Sequence, residues 1–248
     1  MEDFSVLYKF YDEYNGANFI DAYNFFNKCV ERFSHIKPKI VLDLGCGTGE
    51  LTKLLSENYQ VIGVDLSADM LSVAASKNIK NALWLNQDMR KLDLYGTIQG
   101  CICFCDCLNY IKTRSDIAKV FLRISLFLEE GGLLVFDAST KHRFSNILNN
   151  ASFVNETDDG MLIHQGEYSE ENKTLDMFVT IFSRYMDGTY KRYDEHQREY
   201  YHSDSEFLKI AEQTGFELCG IFGDMNFKKS HTTDEKHYFV FRRKLWEI

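Results

Sequence analysis

Between Val41 and Gly49 the chain reads Val-Leu-Asp-Leu-Gly-Cys-Gly-Thr-Gly, an apolar run that passes through an acid into three glycines at alternate positions. Glycines let a backbone turn sharply and let a ligand lie against the main chain without meeting a Cβ. The free N–H groups of a helix that opens just beyond favour an anionic or polar ligand group. A second apolar run, Val61-Ile62-Gly63-Val64, ends in Asp65. Its distance from the glycines, about 20 residues, is the one at which an acid accepts hydrogen bonds from ribose hydroxyls. Gln87-Asp88-Met89 follows a third run and suits an adenine edge. In this order the three segments predict an adenine nucleoside, although Asp43 and Asp88, taken singly, are also ordinary turn caps. Glu50 stands where a GxGxxG dinucleotide fingerprint would place its last glycine, which argues against a nicotinamide cofactor.

A second stretch, Cys101-Ile102-Cys103-Phe104-Cys105-Asp106-Cys107, carries four cysteines at alternate positions. Residues i and i+2 of a strand lie about 6.5 Å apart. Thiolates that share one zinc ion at about 2.3 Å must sit closer, and neighbours on one strand are badly aimed for a disulfide. No metal is expected here. The run reads as a strand with Cys101, Cys103, Cys105 and Cys107 as small apolar fillers on one face, Ile102 and Phe104 on the other, and Asp106 at its C-terminal end. A strand apolar on both faces belongs in a parallel sheet covered by helices on both sides.

The elements that would position these residues follow from hydrophobic periodicity. A helix is predicted over 19–33, then strand 40–44, helix 49–57, strand 60–65, helix 68–76, strands 82–85 and 99–105, helix 115–128 and strand 132–137. Such alternation implies right-handed crossovers and a doubly wound parallel sheet. From 141 to 202 the texture changes to segments 161–168, 174–186 and 189–201, with Asp187-Gly188 as a hairpin turn. This predicts an antiparallel β insertion. A helix over 203–213, stopped by Gly215, and strands 216–222 and 236–243 resume the first pattern. The expected organisation is a helical cap plus binding core over 1–140, an antiparallel lid over 141–202, and 203–248 completing the core.

The 248 residues are 45% hydrophobic, enough for a large core, and carry a formal charge of −9 that repels nucleic acid and anionic lipid. No apolar run approaches the roughly 20 residues that span a bilayer. Met1-Glu2-Asp3 lacks the basic-then-apolar layout of a secretion signal. Seven cysteines, an odd number, suit a reducing compartment. The expectation is a cytoplasmic protein with no membrane or nucleic-acid partner, a monomer or homodimer.

Asp43-Leu44-Gly45-Cys46-Gly47-Thr48-Gly49, Asp65, Gln87-Asp88-Met89 and Glu129-Glu130-Gly131-Gly132 closely resemble the class I S-adenosylmethionine-dependent methyltransferases over about 40–138, and the last helix and two strands do so more loosely. The resemblance implies a Rossmann-like, doubly wound seven-stranded α/β sheet with S-adenosylmethionine as methyl donor and S-adenosylhomocysteine as product. It assigns Gly45, Cys46 and Gly47 to the methionine portion, Asp43 to the loop and the amino group, Asp65 to the ribose, and Leu66, Asp88 and Met89 to the adenine. Tyr8-Lys9-Phe10-Tyr11-Asp12, the loop from Cys105 through Asp106 to Tyr110, and the antiparallel insertion further resemble a small-molecule N-methyltransferase-like subgroup. There the tyrosine closes over the cofactor, the loop lies beside the reactive methyl, and the insertion forms a substrate lid. The run from Tyr193 to Tyr200 resembles a His/Arg/Tyr element of that lid. His196 stands one residue closer to Arg198 than in the subgroup, a slip that turns a strand side chain to the other face, so Arg198 and Tyr200 rank above it.

The resemblance thus implies methyl transfer to a small-molecule acceptor, amines among the candidates. Asp106, Tyr11 and Tyr200 are the expected proton acceptors, with Arg198 in the same catalytic group and Asp106 also touching the cofactor. Two alternatives stay open. One is an RNA or protein substrate, which a basic mouth around Lys141, His142, Arg143, Lys191 and Arg192 would favour. The other is a cofactor-binding regulator without turnover.

Overall fold

The structure, a computed structural model of the 248-residue chain, describes residues 7–14 and 17–245. The acidic start Met1-Glu2-Asp3 lies outside them. A short 3-10 turn, Leu7–Lys9, and helix α1, Tyr11–Tyr14, precede the long helix α2, Phe19–Phe33. There follow β1 (Ile40–Leu44), α3 (Glu50–Leu55), β2 (Gln60–Asp65), α4 (Ala68–Ser76), β3 (Ala82–Asn86), β4 (Ile98–Cys103), α5 (Arg114–Phe127) and β5 (Leu128–Ser139). Polar residues start the helices by accepting an otherwise unpaired N–H: Asn18 takes that of Asp21, Ser67 that of Met70, and Thr113 that of Asp116.

A second group of strands follows: β6 (Ser152–Thr157), β7 (Gly160–Ser169), β8 (Thr174–Arg184) and β9 (Tyr190–Tyr200). Helix α6 (Asp204–Gln213) then opens on a reciprocal capping box between Ser203 and Glu206, ahead of β10 (Phe216–Phe222) and β11 (Lys236–Arg243). The main sheet has seven strands in the order β10-β11-β5-β4-β1-β2-β3, parallel except that β11 runs antiparallel to both its neighbours. This is the class I methyltransferase architecture expected from the motifs. The strand order reverses between β1 and β4, so their C-terminal ends diverge and leave a crevice.

Successive residues of the central strands serve opposite faces of the sheet. Leu42, Leu44, Cys101, Cys103 and Phe136 pack with Ile117, Phe121 and Phe207 of α5 and α6. Val41, Ile102, Phe104, Leu133 and Val135 pack with Phe25, Phe26 and Leu55 of α2 and α3. The cysteine run departs from expectation beyond Cys103. There β4 ends, and Cys105 and Asp106 both take the left-handed conformation, at φ 64° and 61°. Cys105 packs on the α2 side while Cys107, in the 3-10 turn Cys107–Tyr110, packs on the other. Four cysteines therefore do not share a face. The chain must leave the sheet here to build the crevice wall, and two consecutive non-glycine residues at positive φ are uncommon enough to mark a turn held for a purpose.

β6 to β9 form a separate antiparallel sheet in chain order. A π-helical turn, Arg143–Leu148, joins it to β5, and a small apolar cluster of Phe144, Leu175 and Met177, bordered by Tyr110 and Tyr201, fixes it to the core. Neither β6 nor this turn has a periodic signal in the sequence. Among the described residues no helix is long and apolar enough to cross a membrane.

Candidate active site

The glycine loop occupies the crevice at the end of β1. Gly45, Gly47 and Gly49 all have positive φ, between 52° and 84°. A Cβ on Gly45 would stand 2.4 Å from Cys107 Sγ, so this glycine lets the loops after β1 and β4 lie against each other. Gly47 donates its N–H to Asp65 Oδ2 at 2.8 Å, and Ser67 donates to Asp65 Oδ1 at 2.8 Å. The acid at the end of β2 is thereby drawn over the loop. Burial raises its pKa against the pull of these N–H groups. Behind the loop, Thr52 Oγ1 donates to Asp43 Oδ2 at 2.5 Å, and burial pushes the Asp43 carboxyl up to about 7.

A narrow cleft opens beside this loop, bordered by Asp43, Cys46, Gly47, Phe104, Cys105 and Tyr11. A floor of bare backbone at Gly47, flanked by the carboxylates of Asp43 and Asp65, fits an amino-acid group joined to a ribose. Of the residues expected around adenine, Leu66 is 69% exposed at the rim and Met89 reaches to within 3.9 Å of the position a Gly45 Cβ would occupy. Asp88 caps the turn Met89–Lys91 and holds Arg90 with both carboxylate oxygens, which lowers its pKa. Its plain reading as a cap is thus realised.

Residues 7–14 bridge the loop and the lid. Asp12 accepts from Thr48 Oγ1 of the glycine loop and pairs with Lys77, which also meets Glu50 at 2.7 Å. On the lid side the Leu7 N–H donates to Glu195 at 3.0 Å, Glu13 accepts from Thr157, and the Phe10 and Tyr193 rings lie 5.8 Å apart. Tyr11 lies between. Burial, reinforced by Cys105, Cys107, Asp65 and Asp106, raises its phenol well above the ordinary value. A phenol so held keeps its proton, which suits a wall and hydrogen-bond donor and not a base.

Across the crevice stands a buried cluster of charges. Lys236, on β11, holds Asp106 at 2.7 Å and Asp137 at 2.8 Å. Asp137 Oδ1 accepts the Asp106 N–H at 2.9 Å, and Ser139 Oγ donates to Asp106 Oδ1 at 2.8 Å. Arg143 Nη1 is 3.8 Å from Asp106. Burial opposes the charge on Asp106, yet Lys236 and Arg143 together bring its pKa below the ordinary value. Burial raises Asp137, helped by the neighbouring Asp106. Lys236 is held protonated by its two acids in spite of burial. Of this cluster only Asp106 is expected as a catalytic residue; Asp137 ends the predicted strand 132–137 as Asp65 ends its own, a signal that could have found it, while Lys236 opens the last strand with nothing local to single it out.

The lid turns one face of β9 inward. Glu195, Gln197 and Glu199 are buried and stand opposite Val179, Met177 and Leu175 of β8. Arg198 and His196 lie on the other face, where both reach Asp176 at 2.7 Å and His196 stacks on Phe178. Tyr200 shares their side of the strand, while its carbonyl accepts from Asn109 at 3.0 Å. Strand alternation puts the three expected lid residues on one face and the carboxylates on the other. The structure therefore gathers Tyr11, Asp43, Gly45, Cys46, Gly47, Asp65 and Asp106 about one crevice and leaves Arg198, His196 and the Tyr200 ring outside its inner wall. Glu199 is the addition. The i, i+2, i+4 spacing of Glu195, Gln197 and Glu199 is visible in the sequence, but the face it takes is set by pairing with β8.

Three of the basic residues expected at a mouth have acidic neighbours. Lys141 pairs with Glu170, Arg192 with Asp194, and Arg143 faces Asp106.

Residues 41–132 match the family model described as a methyltransferase domain. The "Putative methyltransferase GWCH70_2453" of Geobacillus sp. (strain WCH70) is 29% identical, over 94% of this chain and 96% of that protein. Among solved structures, an S-adenosylmethionine-dependent methyltransferase from Clostridium acetobutylicum ATCC 824 superposes with a TM-score of 0.85 at 26% identity, over 96% of this chain and 97% of that one. The sugar N-methyltransferase KedS8 from Streptoalloteichus sp ATCC 53650 has the same fold, with a TM-score of 0.79 at 18% identity, over 96% and 93%.

Proposed function

For a chain that belongs, by its matched domain and its fold, with the class I S-adenosylmethionine-dependent methyltransferases, we propose methyl transfer to a small-molecule amine bound between the glycine loop and the inner face of the lid. The observation that carries this reading is the acidity of that space. Asp106, in the turn after β4, and Glu195 and Glu199, on the inward face of β9, are all buried, and Asp106 acts on Glu199 as a like charge. Buried carboxylates demand positive partners, and Arg143 and Lys236 supply only part of that demand. An ammonium supplies the rest. The likeness in fold to a sugar N-methyltransferase is consistent with such an acceptor.

Bound S-adenosylmethionine supplies an already activated methyl group, so the protein has mainly to place the acceptor and exclude water, which is worth on the order of 7–11 kcal/mol. Asp65 and the Gly47 backbone would hold the ribose and amino-acid ends, and Asp43 stiffens the loop through Thr52. Tyr11, at the cleft, would cover the bound donor, and Asp106, fixed in its turn by Asp137 and Ser139, would help to place the acceptor. The three-part organisation of 1–140, 141–202 and 203–248 fits these tasks of cofactor core, acceptor lid and core completion.

Calorimetric titration with S-adenosylhomocysteine, with NADH as the comparison, tests the cofactor half: saturable binding of the former alone is expected. Transfer from methyl-labelled S-adenosylmethionine to panels of amines, alcohols, RNA and protein tests the acceptor half. Label in the amine panel is expected. Label only in RNA or protein would replace the amine reading, and binding without transfer to any panel would favour a regulator.

A further inference from the structure

We propose that Glu199 takes the proton from the acceptor amine and that Tyr110 positions its carboxyl group; this rests on the amine reading above. Glu199 lies on the inward face of β9 opposite Leu175, with only 6% of its surface exposed. The groups that face it come from four other elements: Tyr110 from the 3-10 turn, Asp106 from the loop after β4, Arg143 from the π-helical turn and Lys236 from β11. Tyr11 faces Tyr110 in turn. His164 of β7, on the same lid face, senses Arg143, which together with burial lowers its pKa. On the opposite face of β9, Arg198 and His196 are satisfied by Asp176.

The hydrogen bonds around Glu199 continue along the inward face of β9. Tyr110 Oη, which is bonded to Glu199, donates to Gln197 Oε1 at 3.2 Å. Gln197 Nε2 donates to Glu195 Oε1 at 2.7 Å, and Glu195 Oε2 accepts the Leu7 N–H at 3.0 Å. The Tyr110 hydroxyl thus lies between Gln197 and Glu199, and toward Glu199 it favours the carboxylate. The Glu199 carboxyl group is held at the head of a chain that runs through Tyr110 and Gln197 to Glu195. Burial, with the like charge of Asp106, outweighs Arg143, Lys236 and Tyr110 and moves Glu199 up to about 8.

An aliphatic amine arrives as ammonium and must become neutral to attack. In the step assigned to Glu199 an N–H bond breaks and an O–H bond forms on the carboxylate. The electron pair stays on nitrogen, and two opposite charges become two neutral groups. A base whose pKa lies near the working pH does this best. The other candidates are less suited. Asp106 is tied to Lys236 and held below its ordinary value, while Tyr11 and Tyr110 are held well above theirs.

The test uses the full chain and Glu199→Gln, Glu199→Asp and Tyr110→Phe, each first checked for S-adenosylhomocysteine binding. In the protein without cofactor, the infrared C=O stretch of a protonated carboxyl should titrate near pH 8, and this component should vanish in Glu199→Gln. With the amine that the wild type labels best from a panel including glucosamine and 2-aminoethanol, kcat should rise with pH through the same region. Glu199→Gln should lose that limb and about 10²–10⁴-fold in kcat, Glu199→Asp should recover part, and Tyr110→Phe should move the limb without abolishing it. An intact limb in Glu199→Gln, or no titrating component assigned to Glu199, overturns the proposal alone. A wild type that binds S-adenosylhomocysteine but labels no amine overturns the amine reading and this proposal with it.

Discussion

Asp65 ties two strand ends to one loop, since it accepts N–H groups from both Gly47 and Ser67. Removing its carboxylate should cost the ribose contacts that we assign to it, at about 1.5–3 kcal/mol for hydrogen bonds to a charged group. Asp65→Ala is accordingly expected to weaken S-adenosylhomocysteine roughly 10- to 150-fold by calorimetry; undiminished affinity would remove the ribose assignment. Gly45 makes a different demand. Its φ of 76° and the nearness of Cys107 Sγ leave no place for a methyl group. Gly45→Ala should therefore lower the unfolding free energy by about 1–3 kcal/mol, read as a fall in the urea midpoint at unchanged slope.

A strand end and a strand face decide the two walls of the crevice. β4 stops at Cys103, two residues short of its predicted end, and the left-handed turn at Cys105 and Asp106 aims Asp106 at Lys236. β9 presents Glu199 inward and Arg198 outward. Mutagenesis should rank accordingly: Glu199→Gln is expected to reduce turnover at least tenfold more than Arg198→Ala, and the reverse order would restore Arg198 to the site. Asp12 ties the segment 7–14 to the core through Thr48 and Lys77. Asp12→Ala should speed amide exchange across 10–14 several-fold, measured by mass spectrometry, because it frees that short helix from the glycine loop and α4. Exchange as slow as in the wild type would show that Tyr11 is held by the lid instead.

Over the whole molecule, buried acids set how stability responds to pH. Asp43 and Glu199 titrate at about 7 and about 8 in the native state, above their ordinary values of 3.8 and 4.5. As pH rises from about 4, the unfolded chain loses these protons first, so ionisation favours unfolding. The stability they contribute is complete below the unfolded values and is lost as pH climbs through the native ones. Asp106, shifted downward, acts in the opposite sense and only in more acidic solution. The thermal midpoint should thus decline from about pH 5 to about pH 8. Asp43→Asn and Glu199→Gln should each flatten that decline, and a decline unaltered in both variants would place its origin elsewhere.

The cofactor half of the molecule is legible along the chain because its parts are local. A glycine loop, the acid of the next strand and the alternation of helix and strand are written within short windows, and the seven-stranded sheet follows from them. The acceptor half is not. Asp137 and Lys236 are ninety-nine positions apart and meet only because β11 pairs antiparallel with β5. Glu199 and Arg198 are neighbours in sequence and equally plausible there. Which of them faces the crevice depends on how β9 pairs with β8 and on which side of that sheet Phe144, Leu175 and Met177 press against the core. Strand alternation is a period of two with no preferred phase of its own, and only tertiary burial chooses the phase.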